Sequence, residues 1–134
     1  MKCWFGCATN ELSTLTDLIG LHDSVIAVSG GLQGVRDTGI LESVLSHIQN
    51  DAYYPDFAAK LTHLVYAINK SHAFNDGNKR TSIMAGVYFL LLNGWEAERA
   101  AHFAVSMEDI AVDVAANHIG KETLAILIMF VLSV

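Results

Sequence analysis

Hydrophobic positions recur every three or four residues along most of this chain, in runs separated by Gly, Asn, Asp and Ser. Leu12, Leu15, Ile19, His22 and Ile26 fall on one face of a first predicted helix over 11–28. Ser29, Gly30 and Gly31 stop it, and Gly34 keeps the next loop irregular. Asp37 or Thr38 caps a second helix carrying Ile40, Leu41, Val44, Leu45 and Ile48. After a turn over 50–55, Asp56 caps a third, with Leu61, Leu64, Val65 and Ile68. A fourth starts at Asn78 or Lys79 and runs to Asn93-Gly94, a C-terminal stop. Ser106 is read as the cap of a fifth, with Asp109 completing part of a capping box. His118-Ile119-Gly120 ends it, and a sixth helix covers 121–132. Strand-like alternation is missing, apart from a short extended piece expected around Trp95. The pattern predicts an all-α fold of about six helices in one domain over 1–134, with its core in 11–130.

Composition narrows the class. The chain has 134 residues, enough to bury a core, and is 52% hydrophobic with only 16% charged residues, which excludes a disordered chain. The formal charge is −6, so direct nucleic-acid binding is not expected. Cys3 and Cys7 lack the further ligands a zinc site needs and are read as free thiols in a reducing cytoplasm. The first residues, MKCWFGCATNELS, do not read as a signal peptide. The run LAILIMFVLSV is too short for a bilayer, which needs about 20 residues. It is either a buried last helix or one that faces a partner, and no membrane association is expected.

Residues 72–80, HAFNDGNKR, carry the candidate chemistry. The chain has only eight Lys and Arg, and two of them stand side by side at the predicted start of a helix. Cations there oppose the helix dipole, so their presence suggests that an anion belongs in the same place. The first N–H groups of the helix lack internal partners, and Gly77 lets an anion approach the backbone. Gly77, Asn78, Lys79 and Arg80 are therefore read as a phosphate cradle. Arg80 offers a forked grip and Lys79 a point charge. Asp76 offers an oxygen ligand suited to Mg²⁺, and His72 a base that is neutral near pH 7. Together these are the parts for moving a phosphoryl or nucleotidyl group onto a hydroxyl. Phe74 is expected to point inward and anchor the loop.

Other residues invite simpler readings. His22-Asp23 suggests a metal phosphohydrolase of the HD type, but His47, His63, His102 and His118 stand at no helpful spacing. His22 and Asp23 are read as structural or helix-surface residues. Lys70 is read as a solvated helix end complementing a C-terminal dipole. Tyr53, Tyr54 and Trp95 are read as core or rim packing. Arg36 and Asp37 are read as ordering the loop after Gly34.

The stretch HAFNDGNKR resembles the signature of the Fic/Doc superfamily, and within it the death-on-curing (Doc) branch. LHDSVIAVSGGLQGVRDTGILESVLSHI is similar to the N-terminal half of that family. THLVYAINKSHAFNDGNKRTSIMAGVYFLLLNGW resembles its central helices around the active loop, and MEDIAVDVAANHIGKETLAIL its last two helices. Nucleotidyl-transferring Fic proteins carry Gly-Asn-Gly-Arg and a further Arg three residues on. Here Lys79 and Ile83 stand at those positions, and Asn-Lys-Arg matches the Doc branch. Ala73 replaces the proline common in Fic proteins. The resemblance implies a toxin of a toxin–antitoxin pair. Its activity would be a kinase reaction that moves the γ-phosphate of ATP, with Mg²⁺, to a hydroxyl of a translation elongation factor and arrests growth. Adenylyl transfer and a catalytically inactive partner-binding module are the alternatives. Many Fic proteins carry their own inhibitory helix, with Glu followed by Gly or Asn. No Glu in this chain is so followed. The resemblance therefore implies a separate antitoxin that supplies an inhibitory helix.

Overall fold

The computed structural model describes residues 13–134 and is all-α, with six helices among those residues. They are α1 Leu15–Ser29, α2 Thr38–Ile48, α3 Phe57–Ser71, α4 Asn78–Leu92, α5 Ala97–Ala115 and α6 Lys121–Ser133. Cys3, Cys7, Glu11 and Leu12 lie outside the described residues.

Local chemistry sets the ends of the helices. Thr14 and Asp17 form a reciprocal capping box, so α1 begins at Leu15 rather than at the expected residue 11. Asp37 Oδ1 accepts from Gly39 N to start α2, and Asp56 Oδ1 accepts from Ala59 N to start α3. At the end of α4, Gly94 takes a positive φ of 86°. Trp95 N–H then donates to Leu90 O and Gly94 N–H to Leu91 O, a Schellman ending. The piece around Trp95 is thus the tail of a helix cap and not a strand. Trp95 is buried and stacks on Phe57, which in turn stacks on Phe89 at 4.8 Å.

The largest correction concerns α5, which begins at Ala97 and not at Ser106. Ala97, Ala100, Ala101 and Ala104 favour the helix, and Ala100, Phe103, Met107, Ala111 and Val114 form a single buried stripe. Ser106 lies within that helix, and its spacing to Asp109 imitated a cap. Asn117 ends α5 in the left-handed conformation that Gly usually supplies. Lys70 is half-buried and donates to Val114 O and Asn117 Oδ1, so it complements the C-terminal dipole of α5 instead of forming a solvated end of its own helix.

α3 is the central helix, with ten buried residues, and α2, α4, α5 and α6 all pack on it. Close approach is needed where α4 meets α3 and α5. A Cβ on Gly86 would lie 2.7 Å from Phe103 and 3.1 Å from Val65. The last helix divides the earlier alternatives between its two sides. Leu124, Ile128, Val131 and Leu132 are buried, while Ile126, Met129 and Phe130 are exposed. Among the described residues no helix is long and apolar enough to cross a membrane.

Of the two tyrosines read as packing, Tyr53 is exposed and Tyr54 stacks on His63 at 4.4 Å. Lys121 Nζ donates to His63 Nδ1 at 2.8 Å. Burial first, then the charges of Lys121 and His47, holds the pKa of His63 down from 6.5 to about 4. Between those values the unfolded chain binds a proton that the folded chain does not. The stabilisation is complete above pH 6.5 and is lost as pH falls toward 4. Chemical unfolding at pH 7.5 and pH 5 should therefore differ by about 2 kcal/mol from this residue. The same pair of measurements on His63→Phe should lose that difference.

Candidate active site

The candidate residues occupy the connection between α3 and α4. His72 follows the last residue of α3 and takes φ 55° and ψ 41°, the left-handed region. Non-glycine residues seldom adopt that conformation, and it turns the chain sharply out of the helix. The imidazole is exposed. Ala73 and Phe74 then dive into the core, with Phe74 only 1% exposed. Phe74 stacks on His22 of α1 with centroids 4.0 Å apart and planes within 6°.

Asn78 closes the loop on itself. Its Oδ1 accepts from Phe74 N–H at 3.1 Å, and its Nδ2 donates to Phe74 O at 3.0 Å. The side chain is thus a staple, and what Asn78 offers an anion is its backbone N–H. Gly77 has φ 75° and supplies no side-chain cap to α4. Its own N–H donates to Asp76 Oδ1 at 2.9 Å. The N–H groups left open at this helix start are those of Asn78, Lys79 and Arg80, which have no carbonyl earlier in the helix. Lys79 and Arg80 are exposed beside it, and Arg80 Nη1 donates to Ser29 Oγ at 3.1 Å.

Asp76 is held from outside the loop as well. Its Oδ2 accepts from Leu32 N–H at 3.1 Å. The backbone N–H groups of Leu32 and Gly77 lower its pKa against a smaller opposing desolvation, and the charge of Lys79 adds to the lowering, so the carboxylate stays ionised. Each oxygen accepts one backbone N–H and has a further lone pair. One exposed carboxylate suits Mg²⁺, which keeps water and substrate phosphates as its other ligands. Among the described residues no group of three or more His, Cys, Asp or Glu could form a complete protein cage.

Residues 31–37, which join α1 to α2, lie along the loop as a strap. Arg36 N–H and Asp37 N–H donate to Ala73 O, and Asn75 N–H to Gly34 O. Asn75 Nδ2 donates to Gln33 O, and Val35 pairs with Phe74 in an isolated antiparallel bridge. Gly31 is required here. It has φ 120°, and a Cβ would fall 2.6 Å from Asp76 Oδ2. The sequence reading took Gly30 and Gly31 as a helix stop and Gly34 as a source of loop irregularity, and it missed Ser29 as a partner of Arg80. The serine carries no signal of its own, whereas the glycine cluster does.

A groove of about 690 Å³ opens beside the start of α4, between α1, α4 and α5. Val25, Val28, Ile83, Met84 and Val112 make much of its apolar lining. Lys79, Arg80 and Ser29 stand on its wall, as do Glu108 and Asp109.

The helical bundle thus presents a histidine, a carboxylate and an uncapped, cationic helix start on one loop. The family model described as the Fic/DOC family matches residues 12–90. The chain is 34% identical over 113 residues to "Protein kinase doc" of Escherichia phage P1, covering 81% of this chain and 86% of that protein. It is 33% identical over 119 residues to "Toxin Doc" of Mycolicibacterium smegmatis, covering 83% and 90%. The chain belongs to the Fic/Doc family.

Proposed function

We propose that this protein is a Doc-type toxin that transfers the γ-phosphoryl group of ATP to a hydroxyl of a translation elongation factor in the cytoplasm. The observation that carries the reading is the adjacency of His72, Asp76, Lys79 and Arg80 around an uncapped start of α4. The names of the two relatives, a protein kinase and a toxin, support it.

In this reading His72 accepts the proton of the acceptor hydroxyl. The hydroxyl oxygen forms a bond to the γ-phosphorus, the bond from that phosphorus to the bridging oxygen breaks, and ADP leaves. The N–H groups of Asn78, Lys79 and Arg80 and the guanidinium of Arg80 hold the phosphate oxygens. Mg²⁺ held by Asp76 would supply charge to neutralise those oxygens. Lys79 fills the place where nucleotidyl-transferring relatives have a glycine, which favours phosphoryl over adenylyl transfer.

The partner in this reading is an antitoxin, seated as an amphipathic helix in the groove between α1, α4 and α5. Val28 and Val112 are exposed there, and exposed apolar side chains in a concave strip suit a helix with apolar residues every three or four positions.

The test is an incubation of the protein with cell extract, Mg²⁺ and ATP, followed by intact-mass analysis of the modified protein. One added phosphate on an elongation factor is expected. An added adenylyl group would replace the kinase reading with nucleotidyl transfer by the same site. No modification, with a partner still bound, would make the chain a binding module.

A further inference from the structure

His22 was read from the sequence as structural, and its geometry gives it a more specific task. The residue is fully buried on α1. Its Nε2 lies 2.7 Å from the main-chain oxygen of Asp76. A carbonyl oxygen only accepts, so Nε2 carries the proton and donates. In the neutral ring Nδ1 is then a lone pair, buried with no hydrogen-bond partner among the described residues and 3.9 Å from Asp23 Oδ1. A residue needed only to pack against Phe74 would be a phenylalanine, which carries no buried lone pair.

We infer that His22 is a positioning residue, whose Nε2–H latches the Asp76–Gly77 peptide to α1 and so fixes the direction of the Asp76 carboxylate and of the α4 cradle. The peptide sits directly on that helix. A Cβ on Gly77 would lie 3.1 Å from Ile26 Cδ1 and 3.7 Å from His22 Nε2. The carbonyl end is held by His22, and the amide end is held by the Asp76 carboxylate itself. Without the donor, the peptide is free to rotate. Rotation would turn the carboxylate and the first-turn N–H groups together. The inference rests on the reading of Asp76 and the α4 start as the nucleotide site.

Two variants of the full chain separate the donor from the packing. His22→Phe keeps a flat ring over Phe74 and removes the donor, whereas His22→Gln places an amide N–H close to the Nε2 position. In the absence of any ligand, hydrogen exchange at the Gly77, Asn78 and Lys79 amides should become about tenfold faster or more in His22→Phe. The exchange should return toward the parent in His22→Gln. Calorimetric affinity for Mg²⁺·ATP, or kcat for transfer, should fall by about 10- to 100-fold in the Phe variant and largely recover in the Gln variant. Unchanged exchange and affinity in His22→Phe would overturn the inference, as would equal losses in two folded variants. Should the Phe variant fail to fold, ¹⁵N-histidine NMR of the parent decides. An Nε2–H tautomer with a slowly exchanging ring proton supports the latch, and an Nδ1–H tautomer overturns it. If the parent transfers no phosphate, the kinase reading fails while the exchange contrast still tests the latch.

Discussion

Replacing His72 with alanine should abolish phosphoryl transfer and leave the bundle folded. General-base catalysis contributes about 10²- to 10⁴-fold, so the loss should fall in kcat, with Mg²⁺·ATP affinity close to the parent value. The imidazole is exposed, and the hydrogen bonds of the loop are made by Phe74, Asn75, Asp76 and Asn78. Little stability therefore depends on the imidazole itself. The backbone supplies a sharper control. At φ 55° a side chain is a burden, so His72→Gly should match or exceed the parent in thermal stability while also losing transfer. Full transfer by either variant would remove His72 from the base role. A parallel fall in stability and activity would make the residue a structural hinge.

Arg80→Ala should be the second large loss, about 10²- to 10³-fold in kcat, with relief of any growth arrest on expression in cells. The guanidinium is exposed, and among the described residues its one hydrogen-bond partner is the neutral Ser29 Oγ, which holds it in place without neutralising its charge. Stability should move by less than about 0.5 kcal/mol, as for other surface substitutions. Arg80→Lys keeps the charge without the fork and should recover only part of the rate. If Arg80→Ala remained fully toxic in a growth assay, the phosphate role would have to move to Lys79 and the backbone amides.

The parts of this molecule that were legible in the sequence are those coded by neighbours in the chain. The stripes of α2 and α3, the caps at Asp37 and Asp56 and the stop at Asn93-Gly94 each depend on residues within a turn of one another. The loop 72–80 was legible for a chemical reason, since adjacent cations at a helix start oppose the dipole. The start of α5 was hidden because Glu96 makes no side-chain cap while Ser106 looks like one. The strap was hidden because each of its bonds has at least one backbone group as partner, about forty positions away, and backbone groups have no letter in the sequence. The role of the Asn78 amide was likewise invisible, because the asparagine that closes a loop and the one that meets a ligand are spelled alike.

α1 also has a bearing on how such a protein can evolve. One side of the helix, with His22 and Ile26, is packed beneath the Asp76–Gly77 turn. Another side sends Ser24 and Val28 to the groove, and both are exposed. Exchange at exposed positions costs little stability. The lining can therefore drift, generation by generation, while the turn beneath the opposite side stays fixed. On the proposed reading, in which this groove seats an antitoxin helix, two copies of such a gene in one cell would diverge into insulated pairs while the turn beneath α1 stayed the same in both.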